Sequence, residues 1–133
     1  MPPHLEEAWR SLQLADRDIT AFHILSKEPA AHLSIVCFHA QQAVEKSLKA
    51  VLFSRQIEFR RSHDLTQLLR QHGIETPLAD DLLARLNPFA VTFRYDDMDI
   101  ELLTREDAAT WVMDIRRWAE NQVRAAEASE QIP

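Results

Sequence analysis

A long run without glycine or proline, Leu33–Phe53, constrains the fold of this chain more than any other segment. Small and apolar residues recur along it at the spacing of three and four that places side chains on one face of an α-helix. The run therefore predicts a helix, the second of the chain, over about 30–55 with one face in the core. The residues of that face are Val36, Ala40, Ala43, Val44, Ser47, Leu48 and Val51.

Glycine is nearly absent from the rest of the chain, with one Gly among 133 residues. Because tight hairpins usually need glycine at positive φ, this composition disfavours sheets. We predict an all-α fold, an antiparallel up-and-down bundle of about five helices. One domain is expected over 1–133, with its core over about 5–125 and a C-terminal tail, 126–133, that frays.

Proline, glycine and capping residues set the limits of the first and third helices. The first is expected over about 4–27, because Pro29 follows it. Ser62 is the predicted N-cap of a short third helix, with Asp64 in its first turn and Gly73 just after its end.

Two further helices are expected in the C-terminal half. The fourth is predicted over 78–86 and again over 89–95, split by Pro88, and the last begins at Thr104-x-x-Asp107, which resembles a capping box. The periodicity predicts the inner faces of the first and last helices as Leu5, Trp9, Leu12, Ala15, Ile19, Phe22 and His23, and as Trp111, Ile115, Trp118 and Gln122.

Charge and cysteine content narrow the classes of function. A net charge of −6 argues against bulk electrostatic binding of nucleic acid, although Arg55, Arg60, Arg61 and Arg70 form a local basic cluster. The lone Cys37 excludes an intrachain disulfide, is expected to be buried and fits a reducing cytosol. No apolar run approaches the roughly 20 residues of a membrane span, so a cytoplasmic location is expected.

Motifs for cofactors and metals are also missing from the sequence. It has no glycine-rich phosphate loop, no nucleophile elbow and no paired histidines at metal-ligand spacing. We therefore expect no cofactor and no metal site.

Polar residues form a second stripe on the second helix, beside its apolar face. At about 100° per residue Phe38, Gln42, Glu45 and Lys49 share this stripe, and Lys46 lies next to it. The stripe predicts a polar ligand site. The alternative is a solvated face with a Glu45–Lys49 pair that contributes about 0.2–0.5 kcal/mol.

Two other segments carry residues suited to binding anions. Ser62-His63-Asp64-Leu65 places an imidazole beside the free N–H groups of a helix start, although simple capping explains Ser62 and Asp64 equally well. Phe93-Arg94-Tyr95 offers a guanidinium that can grip a phosphate or carboxylate and a ring that can stack. Alternatively, Arg94 pairs with Glu45 or Asp64 and fixes the helix register.

Taken in order, these segments resemble the HEPN domain, the "higher eukaryotes and prokaryotes nucleotide-binding" family. The resemblance runs from about Trp9 to Val123. It rests on Ala15-Asp16-Arg17-Asp18-Ile19, Phe38-His39-Ala40-Gln41-Gln42-Ala43-Val44-Glu45-Lys46-Ser47-Leu48-Lys49-Ala50, Ser62-His63-Asp64-Leu65 and Phe93-Arg94-Tyr95. It implies a helical bundle that usually forms a homodimer. In prokaryotes it implies a minimal nucleotidyltransferase as partner, in toxin–antitoxin or stress systems.

Members of this family divide into metal-independent ribonucleases and non-catalytic modules that bind nucleotides or RNA. The ribonucleases carry an Arg followed, after four to six residues, by a His near the last helices. Around the third helix the spacing differs, with seven residues between Arg55 and His63 and two between Arg60 and His63, and no His follows His72. We therefore predict that the ribonuclease motif is missing.

The first hypothesis for function is a HEPN module that binds a nucleotide or RNA phosphate. A second is a ribonuclease toxin in which His63 and Arg94, the candidate catalytic residues, converge in the fold or across a dimer interface. A third is a purely structural dimerisation module whose charges only fix packing. The predicted ligand-binding residues are Gln42, Glu45, Lys46, Lys49, His63, Asp64, Arg94 and Tyr95.

Overall fold

The computed structural model describes residues 1–60, 64–78 and 104–131. Within these ranges all regular structure is helical, which confirms the predicted all-α fold. The predicted fourth helix falls beyond residue 78 and lies outside the described residues. The described helices are α1 (Pro3–Ser26), α2 (Leu33–Ser54), α3 (Leu65–Gln71) and α4 (Arg105–Glu130).

The long helices α1 and α2 form an antiparallel pair. Ser11 near the start of α1 contacts Lys46 near the end of α2, and Asp18 further along α1 contacts the earlier His39. Helix α4 packs against both α1 and α2. Arg105 at the start of α4 contacts Ala31, just before α2. Further along α4, Gln122 contacts Arg55, the C-cap of α2. Helices α2 and α4 therefore run in the same direction, and α1 runs opposite to both.

The apolar face of α2 is buried as its periodicity predicts. All seven residues of the predicted face are less than a tenth exposed. Cys37 is also fully buried, and this burial raises the pKa of its thiol to about 12, opposed by the positive charge of Arg105. The thiol stays protonated at neutral pH and packs as a small apolar side chain, as predicted.

The predicted inner faces of α1 and α4 need correction. His23 is exposed and Trp9 is only half-buried on α1. On α4 the predicted Trp111, Trp118 and Gln122 are half-buried and flank the core. Small side chains make up much of the buried face of α4, because an indole between the helices would hold their axes apart. The buried residues of α4 are Ala108, Val112, Ile115, Ala119 and Val123.

The predicted start of α3 is wrong, whereas its end is confirmed. Asp64 is the N-cap, not a first-turn residue, and its Oδ1 accepts a hydrogen bond of 3.2 Å from the backbone N–H of Gln67. The predicted cap, Ser62, lies outside the described residues. Gly73 follows the helix at φ +74°, in the left-handed conformation that glycine adopts without strain.

The capping of α4 is confirmed, but its C-terminal end does not fray where expected. The Thr104 hydroxyl oxygen accepts a hydrogen bond of 3.0 Å from the backbone N–H of Asp107. The helix continues to Glu130, well into the tail predicted to fray. Contacts with α1 hold this end: Trp9 Nε1 donates to Glu127 at 3.2 Å, and His4 pairs with Glu130.

Arg105 makes a connection that the sequence does not reveal. Its guanidinium donates to backbone carbonyls at the end of α1 and in the α1–α2 connection, including Ser26 at 2.8 Å and Ala31 at 2.5 Å. These carbonyls lack partners within α1, and a cation at a helix C-terminus also complements the helix dipole. The first residue of α4 thus stabilises the turn that leads from α1 into α2.

A search of the described helices for a membrane span, which needs both length and an apolar composition, finds no candidate.

Candidate functional site

Five of the eight predicted ligand-binding residues belong to the described part of the chain. Four of them lie on α2, and the fifth caps α3. His63, Arg94 and Tyr95 lie outside the described residues. The five are Gln42, Glu45, Lys46, Lys49 and Asp64.

Lys46 is held by an ion pair across the α1–α2 interface. Its ammonium contacts Asp18 Oδ2, while His39 Nδ1 lies 3.1 Å from Asp18 Oδ1. The Asp18 side chain is only 12% exposed, so its charge needs partners inside the protein. Both oxygens of this carboxylate are engaged by α2. We call Asp18, His39 and Lys46 the Asp18 cluster.

The backbone of α2 is tied to α1 at the same level. Ser11 on α1 is buried, and its hydroxyl donates a hydrogen bond of 2.6 Å to the carbonyl oxygen of Lys46. Both ends of Lys46, its carbonyl and its ammonium, therefore contact α1. This geometry gives Lys46 a structural role and leaves its charge neutralised.

Lys49 and Glu45 are in a different environment. Lys49 Nζ lies 3.9 Å from Glu45 Oε1, longer than a hydrogen bond, and each side chain is about one-third exposed. The Lys49 ammonium also lies 5.9 Å from the centre of the Phe59 ring, within cation–π range. The predicted i,i+4 pair is present, but it leaves the ammonium accessible.

The two remaining residues have local partners. Gln42 Nε2 donates to the side-chain oxygen of Gln41 at 2.7 Å. Asp64 uses its carboxylate to cap α3, so the capping interpretation of this residue is confirmed.

The comparisons with known proteins agree with this fold. The family model described as "HEPN domain" matches residues 4–125, nearly the whole chain. This chain belongs to the HEPN family. A crystal structure of an archaeal HEPN homologue is similar at a TM-score of 0.58 and 24% identity, covering 87% of this chain and 97% of that one. A comparison with curated proteins gives no match. At this identity the solved structure shows that the fold is shared.

The ribonuclease spacing occurs once in this HEPN domain, so the prediction that it is missing is wrong for the chain as a whole. Arg17 and His23 are separated by five residues. They lie on α1 rather than near the last helices. Six positions along a helix also turn the two side chains about 120° apart, and both are exposed. The pair therefore does not lie near the last helices, where the resemblance places the ribonuclease motif.

The roles of Asp18 and His39 as partners in the Asp18 cluster could not be predicted from the sequence. Both residues stand in motifs that carried the family resemblance, but their contact depends on the antiparallel register of α1 and α2.

Asp16, two positions before Asp18, connects α1 to α4. Arg116 of α4 donates two hydrogen bonds of 2.8 and 3.1 Å to its carboxylate. Arg116 also bonds Glu120 and holds the pKa of that carboxyl below its usual value. Within the described ranges, no group of three His, Cys, Asp or Glu residues is placed to hold a metal ion.

Replacing Lys46 tests whether the Asp18 cluster stabilises the fold. Lys46→Met leaves a largely buried carboxylate with His39 as its remaining partner, so we expect the free energy of unfolding to fall by about 1–3 kcal/mol. The matched control Lys49→Met should change it by about 0.5 kcal/mol or less, since its pair is loose and exposed. Urea denaturation measures both.

A double-mutant cycle with Asp18→Asn isolates the pair itself. We expect a coupling of about 1 kcal/mol or more between Asp18 and Lys46. Equal losses for Lys46→Met and Lys49→Met, with no coupling, would contradict a structural role for Lys46.

Proposed function

We propose that this HEPN domain is a binding and interaction module that recognises the phosphate of a nucleotide or of RNA and does not cleave it. Family membership supports a nucleotide- or RNA-directed role. The location of the Arg17–His23 spacing on α1 gives no support to the cleaving branch of the family. The proposal therefore rests on which cations of the domain are free to meet a phosphate.

Lys49 is the observation that carries this proposal. Lys46 already has its charge neutralised by Asp18, whereas the Lys49 ammonium has only a 3.9 Å contact with Glu45 and the face of an aromatic ring. A phosphate oxygen can replace such weak partners at little cost in free energy. Lys49 also lies six residues before Arg55, toward the end of α2 that leads into the local basic cluster.

The other members of the proposed binding set come from the sequence resemblance. His63, Arg94 and Tyr95 supply an imidazole, a guanidinium and a ring that suit a nucleotide phosphate and base. Glu45 lies one turn before Lys49 on α2 and would orient it.

Removing the Lys49 charge tests the phosphate proposal. Lys49→Gln should weaken binding of a short single-stranded RNA by about 3- to 10-fold at low salt, because one phosphate contact is lost. The slope of log affinity against log salt should also fall by about 0.7. Fluorescence anisotropy with a labelled oligonucleotide measures both quantities.

The matched control is Lys27→Gln, which removes the same charge at the exposed end of α1, far from the end of α2. Its affinity should stay within about twofold of the wild type. If the wild-type domain binds neither RNA nor mononucleotides at millimolar concentration, the proposal fails.

We further propose that the domain acts as a homodimer and pairs with a minimal nucleotidyltransferase in a toxin–antitoxin or stress system, as the family resemblance implies. Light scattering coupled to gel filtration measures the first part. A mass of twice 15.4 kDa is expected at micromolar concentration, and a mass of 15.4 kDa would contradict the homodimer.

A further inference from the structure

The end of α2 has a backbone conformation that its residue does not favour. Gln56 adopts φ +58°, in the left-handed region that costs free energy for residues other than glycine. Its N–H donates to the carbonyl of Phe53 at 3.0 Å, and the N–H of Ile57 donates to Leu52 at 3.0 Å. This is the Schellman motif, in which glycine is the usual residue. At the end of α3 the same position is Gly73.

The side chain of Gln56 lies at the rim of a groove and contacts His4 through its amide nitrogen. Its Nε2 lies 3.2 Å from both His4 Nδ1 and His4 Nε2, and His4 Nε2 also pairs with Glu130. These contacts hold the amide nitrogen at the His4 ring, and Nε2 carries two N–H groups. Among the described residues, nothing donates a hydrogen bond to Gln56 Oε1. A donor and an acceptor thus remain side by side on one planar group.

The groove beside this amide is aromatic. Phe53 and Phe59 meet edge to face with their ring centres 5.3 Å apart, and Ile57 completes the apolar lining. These three side chains are half-buried, so part of each stays open to the groove. The groove has a volume of about 850 Å³. Sites for small molecules usually measure about 300–1,000 Å³.

The charges around the groove are uneven. The Lys49 ammonium lies 5.9 Å from the centre of the Phe59 ring, whereas Glu58 lies in the lining and is exposed. An anionic group is therefore favoured on the Lys49 side of Phe59 and repelled on the Glu58 side. A ligand that combines a flat ring with an anion fits this distribution.

We propose that this groove binds an adenine nucleotide, with its base against Phe53 and Phe59, its Hoogsteen edge on the amide of Gln56 and its phosphate at Lys49. Adenine presents an N6 donor and an N7 acceptor on that edge, which complement Oε1 and Nε2 of a glutamine. Guanine presents two acceptors there and cannot form the same pair of bonds. This inference rests on the proposed phosphate binding by Lys49 and adds the base, its identity and its site.

Gln56→Gly separates the ligand role of this residue from a structural one. Glycine relieves the left-handed strain, so we expect an unchanged or higher melting temperature, by roughly 2–5 °C at most. The same change removes the amide that would form hydrogen bonds with the base. Titration calorimetry should show about fivefold or greater weakening of AMP binding and loss of the preference of AMP over GMP.

Phe59→Ala gives a second test, with Trp111→Ala, a half-buried aromatic residue of α4 outside the groove lining, as the control. Loss of base stacking should weaken AMP binding by about 5- to 150-fold, while Trp111→Ala should leave it within about twofold. If AMP binding depends on Lys49 but Gln56→Gly leaves its affinity and base preference unchanged, the groove inference is wrong and the phosphate proposal stands. If the wild type binds neither AMP nor RNA, both are wrong.

Discussion

The neutralisation of Asp18 is the interaction on which the arrangement of α1 and α2 depends. A carboxylate that is 12% exposed destabilises the folded state unless cations and donors reach it. Lys46 and His39 meet this need from α2, one on each oxygen. Sliding α2 by one turn would leave the carboxylate buried without these partners. The charge therefore helps to fix the register in which the apolar faces of α1 and α2 pack.

Because Lys46 neutralises Asp18, the polar residues of α2 have two different roles, one in stabilising the fold and one in the proposed binding. Lys46 and Lys49 are three positions apart, which turns their side chains about 60° from each other around the helix. One is directed to Asp18 on α1, and the other lies a third exposed beside Phe59. A motif that reads as one cluster of charge in sequence thus has two roles. The structural role places the second lysine next to the aromatic groove at the end of α2.

Much of the fold could be predicted from the sequence because local signals determine it. The spacing of apolar residues located α2 and its buried face, and Gly73 and Thr104 marked helix ends through their own backbone or side-chain geometry. Some predictions failed because a contact with a residue far away in the sequence determines the local structure. Trp9 ties down the end of α4 that was expected to fray. The cap of α3 differs for a local reason, because Asp64 stands directly before the first helical residue.

The site was less predictable for the same reason. The sequence placed Glu45, Lys46 and Lys49 correctly on one side of α2, but it gave all three a ligand role. Asp18 and His39 are far apart in the chain and become neighbours only when α1 and α2 pack in antiparallel register. The unfavourable conformation of Gln56 likewise depends on how α2 ends, and glutamine carries no sequence signal for a left-handed residue.

Nuclear magnetic resonance tests most directly whether Lys46 stabilises the fold while Lys49 binds the ligand. In a titration of the ¹⁵N- and ¹³C-labelled domain with AMP, we expect the largest shift changes in Lys49 and in the segment Phe53–Phe59. The side-chain signals of Lys46 and His39 should stay in place, because the Asp18 cluster does not take part in binding. The opposite pattern, with Lys46 and His39 shifting and Phe53–Phe59 unmoved, would contradict the account.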